Sequence, residues 1–213
     1  MKLSDRTLED FGNFLASDVP APGGGAAAAL AGSFGAALTH MVAALTAGKP
    51  RYAEHAALMR TLLSETERLR GALLTAVDRD VEAFRGMSVV FTMPKETEAE
   101  KEARRTAKQR ALRDCTHPPY EMMNDILLAL RLTEQALGRS NKSAVSDLGV
   151  AALLLKAALQ GAWLNVLINI GSMDDAAFAE SRRTAGAAIL AEALPLADKI
   201  YGTVLAELAG ESD

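Results

Sequence analysis

Asp80 is the residue whose surroundings point most directly to chemistry. It stands in a run without proline from Tyr52 to Met93. At helical spacing its neighbours within two turns are Leu73, Ala76, Val77, Ala83, Phe84 and Met87, with Phe91 further along the same stripe. Burial in apolar surroundings penalises the charged form of a carboxylate and raises its pKa toward neutrality, where one group can take up and return a proton within a reaction cycle. An ion pair with a buried arginine from another helix is the alternative that the pattern leaves open. Asp78 is turned by about 200° onto a more mixed face beside Leu74, Thr75, Glu82 and Arg85, so the two carboxylates do not share a helix face.

A second group of polar residues interrupts the apolar run "LGVAALLLKAALQGAWLNVLINI". Gly161, Asn165 and Asn169 follow at steps of four, and Asp147 falls within about 40° of the same line. Buried amides need hydrogen-bond partners, which are either neighbouring helices or a ligand rich in amide and imine groups. A third feature is "DVPAPGGG", residues 18–25, set directly before an uncharged stretch rich in alanine. Glycines before a helix let backbone N–H groups approach an anion or polar ligand at the positive end of the helix dipole; the alternative is a plain turn between helices. A nucleotide P-loop does not fit, because no Gly-Lys-Ser/Thr follows and no strand precedes.

The elements that must carry these residues are helices. From Ser4, read as an N-cap, Leu8, Phe11, Phe14 and Leu15 predict a first amphipathic helix ending before Pro20. Ala26 to about Ala47 predicts a helix long enough to raise the question of a membrane span, and its small side chains favour a buried helix that neighbours approach closely. Tyr52–Met93 predicts one very long helix, or two joined by a kink near Gly71, stopped by Pro94. "TEAE" at 97–100 has the form of a capping box and opens a charged helix that His117-Pro118-Pro119 is expected to end. Tyr120–Leu137 resumes the apolar period up to Gly138. A further helix is expected from about Val145 to Ile170, and a last one, capped by Asp174 or Asp175, with a kink at Pro195. The expectation is an all-α, single-domain helical bundle of six or seven helices with one very long helix.

Composition narrows the partners. Of 213 residues, 49% are hydrophobic and 23% charged, with a formal net charge of −4, an ordinary composition for a globular domain with a sizeable core. No basic tract supports nucleic-acid binding, and Cys115 with His40, His55 and His117 at wide spacing offers no metal-ligand pattern. The N-terminus has acids within its first ten residues and no apolar signal core, so a cytoplasmic protein without a membrane anchor is expected.

Three stretches carry a family likeness: "PAPGGGAAAALAGSFGAALTHMV", then "VDRDVEAF" with "MPKETEAEKEARR", then "SNKSAVSDLGVAALLLKAALQGAWLNVLINIGSMDDAAF". In this order and spacing the chain resembles the cyclodeaminase/cyclohydrolase family of folate enzymes. That family comprises the C-terminal domain of formiminotransferase-cyclodeaminase and free-standing bacterial relatives, methenyltetrahydrofolate cyclohydrolases among them. The resemblance covers nearly the whole chain and implies one helical domain over residues 1–213 that forms homodimers. It further implies a folate site with Asp80, second aspartate of "DRDVEAF", as the acid/base, and the glycine loop Pro22, Gly23, Gly24 and Gly25 against the ligand. Asp147, Asn165 and Asn169 are expected to hold the pterin or the bridging carbon, Asn141 to line the same site, and Lys95 to meet the glutamate tail.

Two positions depart from the family pattern: Ala26 replaces the serine usual after the glycines, and Ser140 the glycine usual before Asn141. The activity implied is 5-formiminotetrahydrofolate cyclodeaminase, with methenyltetrahydrofolate cyclohydrolase as the alternative and a non-catalytic folate-binding or scaffold protein as a third reading. No metal or redox cofactor is needed beyond the tetrahydrofolate substrate. In the expected dimer, the long Tyr52–Met93 segment lies against its counterpart.

Overall fold

Six α-helices account for most of the chain in the computed structural model, which describes residues 2–210: α1 (Leu8–Leu15), α2 (Gly24–Ala44), α3 (Ala56–Thr92), α4 (Glu98–Ala136), α5 (Val145–Ile170) and α6 (Ala176–Ala209). Short 3-10 turns precede α1, α3 and α5 at Leu3–Asp5, Pro50–His55 and Lys142–Ala144, and there is no strand among the described residues. The fold is the all-α bundle expected, and α3 runs 37 residues without a break at Gly71. At 1.5 Å per residue that is a rod of about 55 Å.

The central helix is α2. Its faces pack on α3 and α5, and α4 completes the ring. Small residues make this possible. A Cβ on Gly35 would lie 2.6 Å from Leu155 Cγ, and Gly32 sits among Ala158, Ile126 and Leu73. α2 and the segment 142–170 are long and apolar enough to cross a membrane by length and composition, and α2 packs here against α3, α4 and α5. Met59, Leu62, Leu69 and Leu73 bury the apolar stripe of α3 within the same chain. Val89 and Phe91, nearer its C-terminal end, remain exposed.

Three boundaries differ from the sequence reading. Thr7, not Ser4, caps α1, accepting a hydrogen bond from the Asp10 N–H at 3.0 Å. α2 starts at Gly24, so Gly24 and Gly25 form its first turn and only Gly23 stays outside as the cap. The third difference is at His117-Pro118-Pro119, where α4 continues unbroken to Ala136. A proline inside a helix deprives the carbonyl four residues earlier of its donor, and for Pro119 that carbonyl belongs to Cys115. Asn169 Nδ2 of α5 donates to the Cys115 carbonyl at 2.9 Å and replaces the missing donor. Both prolines are buried, so packing holds the helix through them. The expected capping box at the other end of α4 is present, with Thr97 accepting from the Glu100 N–H at 3.2 Å and Glu100 accepting from the Thr97 N–H at 2.8 Å.

Candidate active site

The N-terminus of α2, the middle of α3 and the C-terminal end of α5 meet around a cavity of about 390 Å³. Asp80 projects from α3 into it, and the Ala26 N–H in the first turn of α2 donates to its carboxylate. The positive end of α2 thus faces a carboxylate of the protein itself. Burial pushes the Asp80 carboxyl up to about 6, and the Ala26 hydrogen bond pulls the other way without cancelling it. No arginine pairs with Asp80 among the described residues, so the ion-pair alternative is not realised. A protonation equilibrium near neutral pH is what a group that both accepts and donates a proton requires.

Gly25 lies directly beneath this carboxylate. A Cβ there would stand 2.5 Å from Asp80 Cγ and 2.6 Å from Oδ2, so only glycine lets the first turn of α2 approach Asp80 so closely. A Cβ on Gly24 would meet only the Asn165 amide, Nδ2 at 3.4 Å and Oδ1 at 4.0 Å, both ordinary contacts. Asn165 Nδ2 donates to the Gly161 carbonyl at 2.8 Å, and Asn169 Nδ2 to the Asn165 and Cys115 carbonyls at 2.9 Å each. The amide nitrogens are therefore committed to helix contacts. Neither Oδ1 accepts a bond from the described residues, nor is either buried without a partner, so both remain open as acceptors on the cavity wall.

The remaining wall is apolar and includes Phe84, Met87, Phe91, Leu112 and Ile168. Phe84 and Phe91 meet edge to face at 6.5 Å. The Asp80 stripe of α3 had marked Phe84, Met87 and Phe91 already. Leu112, Cys115 and Lys108 of α4 carried no such signal, because they lie in a highly charged stretch whose inward face depends on packing. Cys115 donates its thiol to the Ala83 carbonyl at 3.3 Å, and burial pushes that thiol up to about 11, which keeps it protonated.

The residues expected at the site divide into three groups. Gly23, Gly24, Gly25, Asp80, Asn165 and Asn169 share the cavity. Pro22 turns to an adjoining cleft of about 440 Å³ with Asp78 and Arg6, and Lys95 lies in a basic cleft of about 300 Å³ with Lys101, Arg104 and Arg105 that shares Lys108 and Ser172 with the cavity. Asn141 and Asp147 lie at the other end of the bundle. Asn141 accepts from the Ser143 N–H and donates its own N–H to Thr46 at the end of α2, while Asp147 is separated from Asn165 by 18 residues of α5, about 27 Å. Within one chain the cavity does not include them.

Asp78 has a separate task. Its carboxylate accepts from the Leu3 N–H at 2.6 Å, the Ser4 N–H at 3.3 Å and the Ser4 hydroxyl at 2.5 Å. This clamp fixes the segment that leads through α1 to Pro20 and Ala21, two residues of the cavity wall. Asp78→Asn should raise KM several-fold with kcat changed less than threefold, since the clamp positions a wall and touches no reacting atom. Steady-state kinetics with the melting curve check this, and a fall in kcat as deep as that of an Asp80 variant would show that the two carboxylates act together.

Comparisons with known proteins identify the family. The family model of formiminotransferase-cyclodeaminase matches residues 7–187. Methenyltetrahydrofolate cyclohydrolase of Methylorubrum extorquens is 41% identical over 200 residues, covering 94% of this chain and 96% of that protein. Formimidoyltransferase-cyclodeaminase of Rattus norvegicus is 32% identical over 202 residues, which span 95% of this chain and 37% of the rat protein. The crystal structure of formiminotetrahydrofolate cyclodeaminase from Thermotoga maritima superposes with a TM-score of 0.79 at 28% identity, covering 98% of each chain. By the match over residues 7–187 and the 41% identity along nearly its whole length, the chain belongs to the formiminotransferase-cyclodeaminase family.

Proposed function

We propose that the protein is a methenyltetrahydrofolate cyclohydrolase. The observation that carries this reading is Asp80, a single carboxyl poised near neutral pH in an apolar cavity sized for a fused bicyclic ring. The substrate carries a cationic methenyl carbon between N5 and N10. Water adds to that carbon while Asp80 takes one of its protons, giving a neutral tetrahedral carbinol. Asp80 then returns the proton to N5 as the C–N5 bond opens, the hydroxyl proton goes to solvent, and 10-formyltetrahydrofolate leaves. The balance is one water consumed and one proton released.

The apolar wall takes the faces of the pterin and aminobenzoyl rings, and the Oδ1 atoms of Asn165 and Asn169 accept from pterin N–H groups. Gly23 and Gly24 let the ligand approach the backbone. Lys95 and Lys108 in the contiguous basic cleft suit the carboxylates of the glutamate tail. The identity of 41% over nearly the full length of a free-standing cyclohydrolase moves this reaction ahead of the deaminase expected from the sequence. The deaminase is the second reading, favoured by the fold match along 98% of the Thermotoga maritima cyclodeaminase. There N10 attacks the formimino carbon and Asp80 protonates departing ammonia.

Purified protein incubated separately with the two folates distinguishes the readings through methenyl absorbance. A fall with 5,10-methenyltetrahydrofolate is the expected result. A rise with 5-formiminotetrahydrofolate would instead establish the deaminase, and no change with either would leave a folate-binding or scaffold role.

A further inference from the structure

Along an α-helix each carbonyl accepts the N–H four residues ahead. Pro118 and Pro119 break that series for Asp114 and Cys115, and a proline ring also crowds the carbonyl four residues back, which turns it away from the helix axis. The two freed carbonyls differ in surroundings. Asp114 is an exposed residue, whereas Cys115 is buried and its carbonyl needs a partner from the protein. Asn169 of α5 supplies it, with Nδ2 at 2.9 Å. Cys115 is held on its other side by α3, through the thiol and the Ala83 carbonyl at 3.3 Å, one turn from Asp80.

The same bond decides which end of the Asn169 amide faces the cavity. An asparagine amide carries two N–H donors on one atom and an acceptor oxygen on the other. Asn169 Nδ2 lies 2.9 Å from both the Asn165 and the Cys115 carbonyls. Only the nitrogen can face two carbonyls, so both of its hydrogens are used and Oδ1 is left on the cavity side. Asn165 is held less firmly. Among the described residues its Nδ2 makes one hydrogen bond, to the Gly161 carbonyl one turn back on its own helix at 2.8 Å.

We propose that Pro119 is a positioning residue of the site: by withholding a backbone donor from the Cys115 carbonyl, it captures the second Nδ2 hydrogen of Asn169. The site then presents an oxygen at that point and selects a ligand with an N–H there over one with a carbonyl or an ether. With an N–H at residue 119 the Cys115 carbonyl turns back to its own helix, one anchor of the Asn169 amide is lost, and the amide can present either end. Pro119 touches no reacting atom, so its effect falls on binding rather than on the chemical step. The orientation of Asn169 stands on the hydrogen bonds alone; that the ligand donor is a folate N–H rests on the proposed function.

The orientation is read without any ligand. In proton–nitrogen correlation spectra the Nδ2 hydrogens of Asn169 are the pair missing from Asn169→Ala. In the wild type both should exchange with solvent about tenfold or more slower than those of Asn13, an exposed asparagine of α1. Pro119→Ala should release one of the two to exchange about tenfold faster. It should also raise KM for 5,10-methenyltetrahydrofolate about fivefold or more and leave kcat within about twofold.

In an Asn169→Ala background, where no amide remains to orient, Pro119→Ala should change KM by less than about twofold. A second full rise in KM there would show that the proline serves packing alone, and overturns the proposal. Rapid exchange of either Asn169 hydrogen in the wild type overturns it as well, as does an unchanged exchange rate or an unchanged KM in Pro119→Ala. Pro119 is buried, so Pro119→Val, which restores the N–H and keeps the site filled, replaces the alanine variant if that one does not fold. If the wild type turns over neither folate, the functional reading has failed, and the exchange rates still decide the orientation.

Discussion

Asp80→Asn yields a folded protein that melts at a higher temperature than the wild type at pH 7.5 and turns over at least a hundredfold more slowly. Both effects have one cause. The asparagine Oδ1 still accepts from the Ala26 N–H, so the first turn of α2 keeps its partner, but no group remains to take a proton from water. The gain in stability follows from the linkage. The carboxyl titrates near 3.8 in an unfolded chain and near 6 in the fold, so below the lower value it is neutral in both states and imposes no electrostatic cost. Between the two values the native state holds a proton that the unfolded state has lost, and stability falls as pH rises through that window. Above it the full cost is present, at most about 3 kcal/mol for a shift of this size.

Removing the charge removes that cost, less whatever the asparagine Nδ2 loses by finding no acceptor. The same equilibrium governs the pH profile of the wild type: kcat/KM should fall about tenfold per unit below pH 6, because the base must be ionised to act. The checks are melting curves from pH 4 to 8 for both proteins and a pH–rate profile for the wild type. A wild-type rate independent of pH between 5 and 7, or an Asp80→Asn variant that melts lower at pH 7.5 and higher at pH 4, would contradict the assignment.

The helical wheel was sufficient to single out Asp80, since its neighbours three and four residues away are apolar and helix α3 is regular enough for wheel geometry to hold along 37 residues. The same wheel put Asp147 in line with Asn165 but could not reveal that five turns separate them. A helical wheel discards the axial coordinate, which the residue separation at 1.5 Å per residue restores. Proline misled at residues 118 and 119 because its local cost is real, while the donor that offsets it, Asn169, lies 50 residues further on. The paired asparagines were legible as polar groups in an apolar run. That their nitrogens would be spent on helix carbonyls, leaving the oxygens for a ligand, depends on packing that no local pattern encodes. The exposed α5 face was in the sequence too, but a largely apolar helix looks the same whether its last face is covered or left bare.

Gly25→Ala abolishes most of the activity while leaving the fold intact, and Gly24→Ala, one residue away, changes turnover only a few-fold. The sequence alone gives the three glycines one role. In the structure their surroundings differ. Gly25 lies within the first turn of α2 in ordinary helical conformation, so alanine there is welcome to the backbone and improves helix propensity by about 1 kcal/mol. Its methyl group has nowhere to go, because it would overlap the Asp80 carboxylate, and either that side chain swings away or α2 retreats from α3. Each movement breaks the Ala26 hydrogen bond and misplaces the base, and an error of about 1 Å in a catalytic group typically costs a hundredfold.

At Gly24 the added methyl makes only van der Waals contact with Asn165. A double-mutant cycle separates mispositioning from general damage: in an Asp80→Asn background, which has no base left to misplace, Gly25→Ala should lower the residual rate by less than threefold. If Gly25→Ala multiplies its full loss onto the Asp80→Asn rate, the glycine serves the ligand or the fold directly rather than the carboxylate it faces.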